Sequence, residues 1–309
     1  MLEGQEKGGY TIDLVPEITI GAFAFNVTSD NPEKRKVFAD QRFRAAMSVA
    51  IDRDEVNHIA FFNLGTPQQY VGFSPLPEFI DQNWNSYMIA HDPGMAERLL
   101  DEIGVKDVDG DGIRELPNGD KLVVNLQFTT KEIAAQVVEV VSEHWARVGI
   151  ASLVKEVTAD ELWSSQSANN IDATAGRKGE PLAVSLGSNE LWALPFDSHF
   201  RVRNGILWAL WIDSNGTAGL EPPDYAKQML ADIDKLQTTK IGSDEFKMLG
   251  NRLVENLVSS LLFIGTVSNP APVYHCNTLK NSARFKLHAS KYHRTYPYRA
   301  TQWYFADGG

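Results

Sequence analysis

Asp107, Asp109 and Asp111 stand at positions 1, 3 and 5 of the stretch DVDGDGIRELPNGD, with Gly112 at position 6 and Glu115 at position 9. Alternating oxygens around a tight glycine turn are what a hard cation such as calcium needs. Position 12 departs from that pattern: Asn118 cannot supply a bidentate carboxylate, and nearby Asp120 could do so only in another geometry. Asp and Gly also serve plain turn chemistry, so calcium and a simple turn both stand at this point. A second constellation is aromatic and cationic: Trp192, Trp208 and Trp211 share one stretch with Arg177, Arg201 and Arg203. Indole offers a broad apolar face with one donor, and the guanidinium fork clamps carboxylates, a combination suited to sugar rings or peptides.

Residues for covalent chemistry are harder to find. Acyl transfer needs a serine or cysteine activated by a base, yet there is no G-x-S-x-G, and Cys276 lies in an apolar run where core packing is expected. None of the seven histidines forms H-E-x-x-H, and His144 falls on a helix face as a packed residue would. Glycine loops of the phosphate-binding type are missing as well. Forty acidic residues make chance carboxylate pairs certain, so a glycosidase reading would need a measured separation. The expectation is a binding protein rather than an enzyme, requiring no cofactor; a carbohydrate-active enzyme and a calcium-dependent interaction module are the alternatives.

The 309 residues are 43% apolar and 22% charged, ordinary for a globular chain. A net charge of −11 argues against a nucleic-acid footprint, which needs a clustered basic face. One cysteine excludes an intrachain disulfide, and no apolar run approaches the roughly 20 residues of a membrane helix.

Periodicity supplies the elements. Residues 10–27 read as one strand or two. Phe43, Ala46, Met47, Ala50 and Ile51 share a helical face, and Asp52 with Glu55 forms a capping-box pair that restarts the helix. Residues 65–90 read as a long loop in which Trp84 and Tyr87 could line a cleft. Asp92-Pro93 opens a helix closed by Gly104. Leu122, Val124, Leu126 and Phe128 alternate as a strand, residues 131–148 follow as a helix, and 150–157 return to strand, which implies a right-handed βαβ crossover. From 158 to 220 regularity fades, as in long functional loops. Two helices, in 224–237 and 244–262, and a final strand from Phe263 complete the chain.

The run Arg44, Ala46, Ala50, Ile51, Asp52, Arg53 reproduces R-x-A-x-x-x-A-I-D-R. The helix from Asp92-Pro93, the set Ile133, Ala134, Trp145, Gly149 and Ile150, and the tail residues Glu255, Asn256, Ile264, Gly265, Pro270, Pro272 and Trp303 add further matches. Together they resemble the C-terminal lobe of the family 5 extracytoplasmic solute-binding proteins, receptors of ABC importers for peptides, nickel and oligosaccharides. The resemblance implies an α/β, periplasmic-binding-protein-like (type II, cluster C) lobe, a mixed sheet flanked by helices. In it, residues 1–25 would cross from an N-terminal lobe, 26–265 form the ligand-binding lobe, and 266–309 return. It also implies a small-molecule ligand, peptide or oligosaccharide, membrane permease subunits as partners, and a periplasmic or extracellular location with a membrane anchor in the full-length protein. The opening MLEGQEKGG has no signal-peptide pattern, and the resemblance implies that the chain is the C-terminal part of a longer receptor. Peptide receptors of the family carry a D-Y-x-D-P pattern where this chain has IDATAGRKGEP, and Asp172 is a poor substitute. That departure, with Trp208 to Trp211 and Gly219 to Pro223, leans toward the oligosaccharide subgroup.

Overall fold

A computed structural model describes residues 2–72, 76–178, 204–281 and 300–306, with the backbone alone at 2, 16–19, 177–178, 269–271 and 300. Its strands are β1 (Tyr10–Phe25), β2 (Thr66–Pro67), β3 (Val123–Phe128), β4 (Ala151–Glu156), β5 (Ala173–Lys178) and β6 (Ile264–Cys276). They form one mixed sheet in the order β2-β6-β1-β5-β3-β4. A small pair, β7 (Leu279–Lys280) and β8 (Tyr304–Phe305), stands apart.

β1 shows why the sheet is covered on both sides. Successive strand residues point to opposite faces, and Phe23 and Phe25 enter one core while Ile20, Ala22 and Ala24 enter another. The first core also takes residues from α2 (Pro32–Ala39), α3 (Gln41–Val49), α4 (Arg53–Phe61), α5 (Pro93–Glu102) and α6 (Ala135–Arg147). Trp145 is its centre: the indole is fully buried between Phe23 and Phe25, ring centroids 5.2 Å from each, and donates to the Met47 carbonyl at 3.0 Å. The second core is lined by α8 (Ile206–Asp213), α9 (Asp224–Thr238) and α10 (Asp244–Ser259). Two short helices, α1 (Gln5–Gly8) and α7 (Ala159–Ser167), complete the described helices.

Helix starts follow their side chains. Asn31, Asp52, Asp92, Thr158 and Ser243 each accept from amides of the turn they open, and Gly104 adopts φ +80° just past α5. β3 and β4 run parallel through α6, as the alternation and helical spacing require.

The stretch 158–220 is more regular than its sequence suggests, since α7, β5 and α8 lie within it. β5 is a central strand whose Ala173, Thr174 and Ala175 are fully buried. Small residues let the packing close on it, and with Thr174 as the one β-branched residue they give little of the signal of a strand. Residues 10–25 form a single strand, with register irregularities between Pro16 and Ile20 and between Ile20 and Ala22. Trp84 and Tyr87 pack edge to face at 5.5 Å against the second core.

Candidate functional site

The parallel strands β3 and β4 end together, with Phe128 paired to Glu156 and, on its other side, to Ala175 of β5. β5 continues past them, placing Arg177 opposite Gly21 and Lys178 opposite Ile20. Here β1 bulges and leaves the sheet, and Tyr10–Val15 continue with Ala271–Cys276 as a two-stranded ribbon. Carboxyl ends of parallel strands are where open α/β sheets bind ligands. The edge is closely built. Thr266 donates to the Gly21 carbonyl at 2.9 Å, and a Cβ on Gly21 would stand 3.0 Å from the Thr266 hydroxyl and 3.3 Å from Ile133.

Of the six aromatic and cationic candidates, the structure brings the backbone of Arg177 to this edge. Trp192, Arg201 and Arg203 lie outside the described residues. Trp208 is a core residue, 6% exposed and edge to face with Tyr225 at 6.4 Å. Trp211 is half-buried with the Lys227 ammonium 6.0 Å from its ring. Their helix starts where the Leu207 amide meets the Thr28 hydroxyl, beyond the end of β1 opposite the ribbon. Asp172 serves structure: its carboxylate accepts from Lys34 at 2.6 Å and from the Asn125 amide at 2.8 Å.

The arginines of the R-x-A-x-x-x-A-I-D-R run are structural, which their spacing alone did not reveal. Arg53 is 3% exposed and faces main-chain and hydroxyl oxygens: Gly265 at 2.8 and 3.0 Å, the Ser48 carbonyl at 2.9 Å, its hydroxyl at 3.0 Å and Ile89 at 3.1 Å. Burial pushes its pKa down to about 9, which leaves it charged at neutral pH. Gln69 completes the knot, accepting from the Gly265 amide at 2.6 Å. Gly265 is required by close approach, because a Cβ there would stand 2.3 Å from the Tyr70 nitrogen. Arg44, equally buried, donates to the Phe38 and Ser260 carbonyls at 2.6 and 2.8 Å. Arg53 thus fastens α3 and α4 to the strand that becomes the ribbon, and Arg44 ties α3 to α2 and to Ser260 before that strand.

The capping box at Asp52 is half formed. Asp52 accepts from Asp54 and Glu55, but its own amide donates to Nδ1 of His144 at 3.2 Å, not to Glu55. That bond makes Nδ1 the acceptor, so the ring donates from Nε2 to Glu55 at 2.7 Å. Glu55 also accepts from Arg147 at 3.1 Å, and Arg147 first, then His144, hold its pKa down at about 2. Because the folded value lies below the unfolded one, this stabilisation is complete above about pH 4.5 and disappears as the pH falls toward 2. Glu55→Gln is therefore expected to flatten the acid limb of stability against pH in that window, checked by urea midpoints at stepped pH.

Asp107, Asp109, Asp111 and Glu115 come together, one oxygen from each within 4.8 Å of the others. Like charges this close repel by about 1 kcal/mol per pair even in bulk water. Lys121 pairs with Asp109 at 3.3 Å and with Asp111, whose carboxyl it holds below the usual range. Arg114, within the loop, turns instead to Asp101 and the Val105 and Val148 carbonyls.

Cys276 is exposed rather than packed in a core. It stands at the end of the ribbon, 3.1 Å from the Thr278 hydroxyl, whose hydrogen bond lowers the thiol pKa.

These features define one α/β lobe with a ribbon leaving the sheet at the carboxyl edge of its parallel strands. Residues 2–183, more than half of the chain, match the family described as bacterial extracellular solute-binding proteins, family 5 Middle. The chain belongs to that family. It resembles a probable ABC transporter-binding protein of Deinococcus radiodurans, 24% identical over 52% of this chain and 27% of that protein. Among solved structures it resembles an oligopeptide-binding protein, OppA (TM-score 0.80, 26% identity, 93% of this chain and 47% of that one). Another is a mannohexaose-bound periplasmic oligopeptide-binding protein of Thermotoga maritima (TM-score 0.63, 20% identity, 87% and 47%). The chain spans about half the length of these solved relatives and about a quarter of the curated one.

Proposed function

We propose that this chain is the C-terminal lobe of the substrate-binding component of an ABC importer, holding a short peptide or an oligosaccharide against its carboxyl edge. The observation that carries the reading is the ribbon of β1 and β6, which leaves the sheet at the carboxyl edge in a chain that covers 47% of its OppA relative. The ribbon segments, residues 10–15 and 271–276, are the two passages to a companion lobe, while residues 20–25 and 264–267 belong to the lobe's own sheet and cores. Contacts made only when the lobes close shift a hinge equilibrium, and the closed form is what the permease subunits in the membrane read. The protein works outside the cytoplasm, anchored to the membrane in its full-length form. It performs no covalent chemistry; the reaction that drives import belongs to other subunits.

Arg177 at the edge, Trp192, Arg201 and Arg203 are the ligand-contacting candidates of this lobe; Trp211, on the helix at the other end of β1, is not among the contacts at that edge. The name of the OppA-like relative favours a peptide, and the mannohexaose-bound relative keeps an oligosaccharide open. Tryptophan fluorescence during titration with peptides of graded length, then with manno-oligosaccharides, tests the reading. One class should saturate with a Kd on the order of 1 mM, about −4 kcal/mol, and be recovered unaltered. Arg177→Ala should weaken that binding. Turnover of an oligosaccharide would replace this reading with that of a carbohydrate-active enzyme.

A further inference from the structure

The geometry points to a calcium site in the loop between α5 and β3, formed by Asp107, Asp109, Asp111 and Glu115, with Lys121 as a competing cation. Convergence of acids would not be enough, since exposed acids cluster without a ligand. The independent observation is Glu115. Its side chain is 95% buried by a residue exposure of 5%, Oε2 accepts from the Val108 amide at 2.7 Å, and Oε1 has no hydrogen-bond partner among the described residues. A buried carboxylate oxygen without a donor costs free energy unless a cation meets it, and this carboxylate contributes to the convergence within 4.8 Å.

The rest of the loop is prepared for a hard ion. Asp107 is held by the amides of Gly110 and Gly112, Asp109 by that of Asp111, and Asp111 by that of Ile113. Each carboxylate oxygen retains a lone pair for a metal after accepting one such bond. Gly110 and Gly112 adopt φ +77° and +88°, which let the backbone turn tightly. Four carboxylates offer up to eight oxygens, against the 6–8 that calcium takes. Their total charge is offset among the described ion pairs by Lys121 alone, so calcium must break two ion pairs to enter. With Asn118 at position 12 the affinity belongs to the weak class, a Kd on the order of 10⁻⁴–10⁻³ M. The backbone of Glu115 pairs with those of Lys106 and Lys121 in isolated β-bridges, so occupancy stiffens the connection into β3 and raises the stability of the lobe.

Calorimetry and thermal melting of the EDTA-treated 309-residue chain, titrated with calcium chloride and separately with magnesium chloride, test this. Calcium should bind one to one and raise Tm by about 3–8 °C at about 10 mM; magnesium, which demands a tighter octahedral shell, should do neither at that concentration. Lys121→Met should tighten calcium binding by about tenfold, and Asp111→Asn should weaken it by at least about tenfold. Absence of calcium heat and of a Tm shift in the unmodified chain would overturn the site, as would an equal response to magnesium. Unchanged affinity in Lys121→Met would overturn the competing role of the lysine. None of these outcomes depends on the transport ligand.

Discussion

Arg53→Ala should lower the stability of the lobe by about 3–5 kcal/mol, read as a shift of the urea midpoint. The guanidinium is buried, and its removal strips a hydrogen-bond donor from the carbonyls of Gly265, Ser48 and Ile89 together. Each buried carbonyl left unsatisfied costs about 1–3 kcal/mol, less where water enters the vacated space. Arg53→Lys should recover less than half of the loss. An ammonium keeps the charge, yet it cannot reproduce a planar fork that reaches Gly265 with two nitrogens and Ser48 with two more bonds. Full rescue by lysine would show that charge, not the fork, holds α3 and α4 to β6. The location matters for function as well, because Gly265 lies on the strand that pairs with Ala22 and continues into the ribbon.

Trp145→Ala is the second large effect, about 4–6 kcal/mol. Removing a large buried aromatic costs about 3–5 kcal/mol through lost transfer energy and the cavity left behind. The Met47 carbonyl loses its indole donor, adding about 1 kcal/mol. Trp145→Phe separates the two parts. It keeps ring contact with Phe23 and Phe25 and should cost about 1–2 kcal/mol, mostly for the hydrogen bond and the smaller ring. A loss below about 1 kcal/mol for Trp145→Ala, measured by denaturant unfolding, would mean that the first core is not centred where the packing places it.

Much of this architecture could be read from residue order. Apolar spacing located α3, α6, α9 and α10, Asp92-Pro93 and Gly104 bounded α5, and the alternation from Leu122 to Phe128 marked β3. Each signal is local: a stripe, a cap or a two-residue period. β5 was not legible, because a strand buried on both sides needs small residues, and ATAGRK carries no periodic mark of that demand. Glu55 was legible as a cap partner only within its own helix, whereas His144, distant in sequence, takes the Asp52 amide and Glu55 turns outward to Arg147.

Where a ligand would lie was not legible in residue order. Tryptophan and arginine suit both a binding wall and a core or surface, and composition cannot choose between them. Coordinates put Trp208 under Tyr225 and the backbone of Arg177 at the carboxyl edge. Arg44 and Arg53 reversed the usual expectation that arginine is solvated, since carbonyls supplied by β6 and its approach satisfy them in the interior. The acidic loop was the most legible feature, its residues converging as their spacing implied.

The central claim is that this lobe provides one wall of a hinged site and that affinity requires the other wall. Titration calorimetry with one peptide or oligosaccharide ligand, on these 309 residues alone and on a two-lobed protein carrying them after an N-terminal lobe, tests it most directly. The lobe alone should bind at least about 100-fold more weakly, a difference of about 2.7 kcal/mol. Equal affinities would contradict the account.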